Sequence, residues 1–227
     1  MINKIICGID EVGRGPLAGP VVSAAVILPL DHNIQGLADS KKISPKKREA
    51  LFEDIIAISE IGVGVVSRKE IDRINILQAT YLSMKKAFCN LKTKPDKVLV
   101  DGFAIPSKSI KNEGIIKGDE KIETISAASI VAKVIRDKLM KLVDPIFPQF
   151  EFCKNKGYGT KVHMEALFRY KATIIHRRSF SPVDENLPDE LLLRSLSYKK
   201  SLKKQNKMLV EVNKEIKNWL SLKNVIY

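Results

Sequence analysis

Two apolar, β-prone runs lie one short loop apart near the N-terminus, and this pairing restricts the fold more than any other feature of the chain. Residues 4–9 and VVSAAVILP at 21–29 are separated by a stretch that carries Gly13, Gly15, Pro16, Gly19 and Pro20. Valine and isoleucine at this density favour extended backbone, and glycine with proline marks a connection, so two neighbouring strands are predicted. The same stretch, GIDEVGRGPLAGP at 8–20, holds Asp10 and Glu11 directly after the apolar run and Arg14 between two glycines. A turn needs glycine and proline but none of these charges, so they point to a second role.

Further along, strand-like and helix-like segments alternate. SPKKREALFEDIIAIS from Ser44 has a capping serine, Pro45 at the first helical position and apolar residues at Leu51, Ile55 and Ile58. EIGVGVV at 60–66 is a glycine-weakened strand, and residues 69–91 form a second helical region with Leu77, Tyr81, Met84 and Phe88 on one face. PDKVLVDG at 95–102 is a short buried strand ending in Asp101, and GIIKGDE at 114–120 is another ending near Asp119. Residues 124–143 are then a third helix, capped by Thr124. Such alternation defines an α/β protein. From about residue 184 the chain has no glycine, is rich in lysine and spaces Leu209, Val212, Ile216 and Leu220 helically. The expected organisation is a unit over 1–183 with a C-terminal helical appendage over 184–227.

A chain of 227 residues can bury a substantial core, and its formal net charge of +13 favours a polyanionic partner, nucleic acid first among them. Cys7, Cys89 and Cys153 are few, far apart and without metal-binding spacing, which fits a reducing cytosol rather than a disulfide framework or zinc site. There is no signal-like N-terminus, and no apolar run reaches the roughly 18 residues of a membrane helix. A soluble cytoplasmic protein is expected, with no membrane partner and a monomer as the default.

Asp10, Glu11, Asp101 and Asp119 each follow a short apolar run where a strand should finish. In α/β sheets such ends converge on one crevice. Gathered carboxylates without basic partners repel one another unless a cation holds them, and hard oxygen ligands suit Mg²⁺ or Mn²⁺ in a two-metal arrangement for phosphodiester cleavage. On an ideal strand Asp10 and Glu11 point to opposite faces, so their joint use calls for a bend at Glu11. Aspartates at strand ends also form turns and cap helices, which is the alternative for each taken alone. His163 and His176 read as hydrogen-bonding structural residues rather than acid–base groups. GVGVVS at 62–67 lacks the spacing of a phosphate-binding loop.

GIDEVGRGPLAGPVVSAAVIL resembles the signature of the ribonuclease HII family, the type 2 ribonucleases H. LADSKKISPKKRE at 37–49, VLVDG at 98–102, IIKGDEKIETISAASIVAKVIRD at 115–137, NKGYGTKVHMEAL at 155–167 and IHRRSFSPV at 175–183 resemble it in the expected order. The similarity covers about residues 4–183. It implies a ribonuclease H-like mixed sheet flanked by helices, with 1–183 as the catalytic domain. It also implies hydrolysis of the RNA strand in RNA–DNA hybrids and incision 5′ to single ribonucleotides in duplex DNA, leaving a 3′-hydroxyl and a 5′-phosphate, a step of ribonucleotide excision repair. Asp10, Glu11, Asp101 and Asp119 match the family's metal ligands, while Asp137 is left as a supporting or structural residue.

The resemblance also assigns the substrate contacts. Gly13, Arg14 and Gly15 grip the 2′-hydroxyl that distinguishes RNA from DNA, together with Tyr158, and Lys41 and Lys42 lie near the substrate backbone. Without a Cβ, the glycines admit a sugar close to the backbone, and Arg14 supplies a positive fork for phosphate. On the third helix Ser126, Ser129, Lys133 and Asp137 form a polar stripe, from which Ser129 and Lys133 are expected to touch phosphate. DSKK and this stripe also read as solvated faces. One departure stands out: where the family has a Gly-Pro-Thr-Pro turn before the histidine, this chain has Lys171, Ala172, Thr173 and Ile174. Two other functions fit the composition, a non-catalytic nucleic-acid-binding protein and a DNA resolvase-like metal nuclease. The Gly-Arg-Gly stretch with Tyr158 argues against the resolvase.

Overall fold

The computed structural model describes residues 4–37 and 43–227. Lys41 and Lys42 therefore lie outside the described residues. Strand β1 (Ile6–Val12) runs through the first apolar segment, and β2 (Val21–Ile27) returns antiparallel to it, with Cys7 opposite Ile27 and Val12 opposite Val22. Helix α1 (Pro45–Ile58) starts on the Ser44 cap, whose side chain accepts the Lys47 amide. Strand β3 (Glu60–Val66) adds antiparallel to β2. After α2 (Arg68–Cys89), strand β4 (Lys97–Asp101) pairs parallel with β1 and β5 (Asn112–Ile115) pairs parallel with β4. The sheet order is β3-β2-β1-β4-β5.

Strand alternation assigns the two faces. Val22, Ala24 and Val26 of β2 join the large core beneath α3 (Glu123–Val143), whereas Cys7, Ile9 and Ala25 pack with Met84 and Ala87 of α2. Glycines let both helices approach closely. A Cβ on Gly8 would stand 2.2 Å from the Thr124 carbonyl carbon, and one on Gly64 would stand 1.9 Å from the Ser83 carbonyl oxygen.

Three local expectations change. Helix α3 begins at Glu123 after an extended Ile122 rather than on a Thr124 cap, because Thr124 already sits in the first turn, pressed against β1 at Gly8. The strand expected over 114–120 stops at Ile115. Lys117 then turns the chain in a left-handed conformation (φ 55°), and Asp119 lies on a 3-10 turn over Gly118–Glu120. The second helix is interrupted at Asn75 (φ 65°), whose side-chain oxygen accepts the Gln78 amide and caps the longer half.

Helices α4 (Phe152–Asn155) and α5 (Lys161–Tyr170) and the segment to Val183 send Phe152, Leu167 and Val183 into the large core. The C-terminal region is helical as expected, with α6 (Glu190–Arg194) and α7 (Leu196–Leu222). Val212, Ile216 and Leu220 of α7 are buried in the core shared with α3, Trp219 stacks on Phe52 at 5.6 Å, and the Val63 amide donates to the Ile226 carbonyl. No helix among the described residues is long and apolar enough to cross a membrane.

Candidate active site

Parallel pairing of β1 with β4 brings two carboxylates to one place. Ile9 lies opposite Val100, so Asp10 and Asp101 follow side by side where the strands end. Helix α3 crosses this end of the sheet and presents Ser129 and Lys133 to the same cavity, of about 310 Å³, which Asp10, Glu11 and Asp101 also line. The β1–β2 ladder continues to Val12, so Glu11 reaches this cavity without a break in the strand. Arg48 of α1 forms part of the wall, and nothing in the helical pattern over 44–59 distinguishes it from the other cations there.

The carboxylates are held chiefly by backbone amides and one another's neighbours. Asp10 is 5% exposed, and its Oδ1 accepts the Glu11 amide at 2.7 Å. Oδ1 of Asp101 accepts the amides of Gly118 at 2.7 Å and Asp119 at 3.4 Å. Asp119 itself is buried and does not line the cavity, so the structure ties it to Asp101 through the backbone of its turn. Burial, then the Glu11 charge, raises the Asp10 carboxyl well above the usual carboxylate range, with Asp101 adding to the effect. Glu11 is also raised, by burial first, against the lowering pull of Arg14, whose Nη1 lies 3.4 Å from Glu11 Oε1.

Among the described residues, no group of three or more His, Cys, Asp and Glu side chains is gathered tightly enough to hold a metal ion. The donor chemistry nevertheless fits a hard divalent cation. The buried Asp10 and the partly buried Glu11, both with raised proton affinities, and Asp101 beside them concentrate oxygen ligands where positive charge relieves their repulsion. Lys133 does not neutralise them, because its Nζ pairs with Asp137 at 2.7 Å. Ser126, expected on the same polar stripe, is instead buried and bonded to the Leu37 carbonyl.

Next to the carboxylates, the 13–20 loop is clamped by two arginines, Arg136 and Arg177, that no motif in the sequence marks. Both are fully buried. Arg177 donates to the carbonyls of Gly13 (2.5 Å), Arg14 (2.8 Å), Gly19 (3.0 Å) and Pro20 (3.2 Å). Arg136 donates to Pro20 (3.0 Å), Ala18 (3.2 Å) and Lys156 (2.9 Å). Burial pushes the guanidinium pKa down to about 9 for Arg177 and about 10 for Arg136, so both stay charged at neutral pH. Gly13 (φ 96°) has to be glycine, since a Cβ there would meet Arg136 Nε at 2.3 Å. A readable sign of Arg136 is its place on the apolar stripe of α3, four residues from both Ala132 and Met140.

With the loop held in this way, Tyr158 comes to Gly15. Its ring is half-exposed, Cε1 lies 3.8 Å from where a Gly15 Cβ would stand, and Arg136 sits over the ring at 5.8 Å. The Leu17 amide bonds the Gly157 carbonyl at 2.8 Å, which joins the two segments. Thus Asp10, Glu11, Asp101, Ser129 and Lys133 form one cavity, while Gly13, Arg14, Gly15 and Tyr158 form an adjoining cradle.

A mixed five-stranded sheet with carboxylates at the ends of two parallel strands and a helix laid across them is the architecture of a ribonuclease H-like nuclease. Solved structures share it. The ribonuclease H2 of Pyrococcus horikoshii OT3 matches with a TM-score of 0.62 and 26% identity, over 89% of this chain and 99% of that one. The ribonuclease HII of Archaeoglobus fulgidus, solved in complex with PCNA, matches with a TM-score of 0.67 and 25% identity, over 85% and 98%. The chain belongs to the ribonuclease HII family, whose model matches residues 7–183. It is 52% identical to the ribonuclease HII of Lactobacillus johnsonii over 185 residues, 81% of this chain and 73% of that protein. It is 50% identical to that of Shewanella loihica over 191 residues, 82% and 92% respectively. The protein is therefore a type 2 ribonuclease H, an endonuclease for the RNA of RNA–DNA hybrids.

Proposed function

We propose that this endonuclease, besides cutting RNA–DNA hybrids, incises duplex DNA on the 5′ side of a single embedded ribonucleotide and leaves a 3′-hydroxyl and a 5′-phosphate. The observation that carries the reading is the adjacency of the carboxylate cavity to a cradle of Gly13, Arg14, Gly15 and Tyr158. A phosphodiester at the carboxylates places the neighbouring sugar within reach of that cradle.

Asp10, Glu11, Asp101 and Asp119 are the proposed ligands. Mg²⁺ or Mn²⁺ bound there would supply water activation and charge stabilisation at the scissile phosphate. Residues of the chain itself do the rest. The two glycines leave room for the sugar against the backbone, and the Tyr158 hydroxyl bonds its 2′-oxygen while the ring packs on the sugar face. Arg14, half-exposed, turns its guanidinium to a phosphate. Ser129 and Lys133, which line the carboxylate cavity, flank the phosphate from α3. Lys41 and Lys42, which lie outside the described residues, are assigned to the substrate backbone by the family resemblance alone. The net charge of +13 supplies the sequence-independent attraction, and the lysine-rich 184–227 helical appendage, packed on the catalytic unit through α7, extends it in a cytoplasmic monomer.

The test is incision of an end-labelled DNA duplex with one ribonucleotide, in Mg²⁺ or Mn²⁺, beside an all-DNA duplex and an Asp101→Asn enzyme. A single metal-dependent cut 5′ to the ribonucleotide, absent from both controls, is the expected result, with substrate binding retained by Asp101→Asn. Cutting of the all-DNA duplex would favour a resolvase-like activity. Binding without cutting in either metal would favour a non-catalytic role, and turnover at the wild-type rate by Asp101→Asn would overturn the ligand assignment.

A further inference from the structure

His163, on α5, and His176 are both fully buried, and all four of their ring nitrogens are engaged. The Thr173 amide donates to His176 Nδ1 at 3.0 Å. A backbone N–H can only donate, so Nδ1 of His176 is the acceptor and its proton resides on Nε2. That proton points at His163 Nε2, 2.9 Å away, which must accept. The proton of His163 consequently sits on Nδ1 and is given to the Tyr158 carbonyl at 2.9 Å. The Thr173 hydroxyl, 2.8 Å from the same Nδ1, can donate or accept, so it is the amide beside it and the carbonyl at the other end that set one direction and fix both tautomers.

The surroundings make the polarity costly. Phe150 and Phe152 pack against both imidazoles, with centroid separations of 4.8–5.8 Å. An apolar pair would fill this space without burying polar nitrogens. What it could not do is give the Tyr158 carbonyl, which already accepts the Thr160 amide at 2.8 Å, a second and directional donor. Around the same turn, the Gly157 carbonyl is bonded by Leu17 and Ala18 bridges His176, so the chain of imidazoles runs alongside the backbone seam between the cradle's two halves.

We propose that the Thr173–His176–His163 chain is a positioning device that fixes Tyr158 against the Gly13–Gly15 loop and thereby sets the preference for a single ribonucleotide. The proposal rests on the junction-reading role given to Tyr158 above.

Two substitutions at one position separate positioning from packing. His163→Asn keeps an N–H donor near the Nδ1 position, whereas His163→Gln moves it towards the Nε2 position. Single-turnover rates and KM are compared on a single-ribonucleotide duplex and an RNA–DNA hybrid, in the wild-type and Tyr158→Ala backgrounds. His163→Gln is expected to lower kcat on the single-ribonucleotide duplex by about ten- to a hundredfold, as for a misplaced substrate-contacting group, with KM and the hybrid rate little changed. His163→Asn restores the substrate ratio, and in the Tyr158→Ala background His163→Gln has no further effect. Equal slowing on both substrates, or in both backgrounds, overturns the proposal. If Tyr158→Ala leaves the substrate ratio unchanged, it is the reading of Tyr158 that fails. Imidazole ¹⁵N spectra of the wild-type protein test the chain without any variant. Protonated Nδ1 in His163 and protonated Nε2 in His176 support it, and the reverse tautomers refute it.

Discussion

Lys171 is predicted to be a residue that the fold tolerates rather than uses. It ends α5 with φ 62° and ψ 167°, a combination open to glycine and costly for any residue with a Cβ, on the order of 1–3 kcal/mol. By resemblance, glycine opens the family's turn at this position. Lys171→Gly removes the strain and gives back about 0.4–1 kcal/mol through the greater freedom of the unfolded chain. It also removes two surface contacts, Nζ with Asn186 Oδ1 at 3.5 Å and Nζ over the Phe168 ring at 5.4 Å, together about 0.5 kcal/mol. The balance is a gain of about 1 kcal/mol, or roughly 2–4 °C in Tm for a chain of this size. Urea unfolding followed by far-UV circular dichroism gives the number, with an unchanged m value as the check that only stability moved. Lys171→Ala is the control, because it loses the same contacts and keeps the Cβ. It should be neutral to slightly less stable than the wild type. If the glycine variant is no more stable than the alanine variant, the backbone at 171 is not strained and the reasoning is refuted.

Three further perturbations probe the framework around the site. Gly8→Ala forces a Cβ into the Thr124–Ile125 backbone at 2.2–2.4 Å and should cost about 3 kcal/mol while slowing cleavage, since α3 carries Ser129 and Lys133; a fully stable, fully active variant would contradict the packing. Arg177→Lys replaces a fork that reaches four carbonyls by a single ammonium, with an expected loss of about 3 kcal/mol measured by urea unfolding. Burial lowers the His176 pKa to about 3, so its native form binds fewer protons than the unfolded chain below pH 6.5. Its contribution is whole above pH 6.5 and drains away as pH falls towards 3, at about 1.4 kcal/mol per pH unit. The raised carboxyls of Asp10 and Glu11 act with the opposite sign, so the readout is the difference in pH slope between the wild type and His176→Gln. Identical slopes between pH 7 and 5 would show that His176 is not buried neutral.

What was legible in the sequence is what depends on near neighbours along the chain. Ser44 and Pro45 announce α1, the period of Leu209, Val212, Ile216 and Leu220 announces the helix whose last three members are buried, and Asp101 stands where an apolar run ends. Asp119 fails the same rule because its turn is made by Lys117 in a left-handed conformation, and a lysine carries no mark of that geometry. Thr124 looks like a cap because threonine is a good one, yet the start of α3 is decided by contact with Gly8, over a hundred residues away in the chain. Asn75 carried a local signal, an N-cap residue within a helical pattern, which the surrounding periodicity hid. The arginines show the sharper limit. In a chain of +13, two more cations are invisible in the composition, and what makes Arg136 and Arg177 different is a cage of carbonyls, all but that of Lys156 from the 13–20 loop. The cage exists because that loop has only an isolated bridge at Ala18, so most of its carbonyls have no ladder to satisfy them. Gly13 is thus doubly constrained, by the sugar it is proposed to admit on one side and by the Arg136 guanidinium that closes on the other. The substrate cradle and its hidden supports therefore arise from a single cause, a backbone left largely free of strand pairing beside the carboxylates.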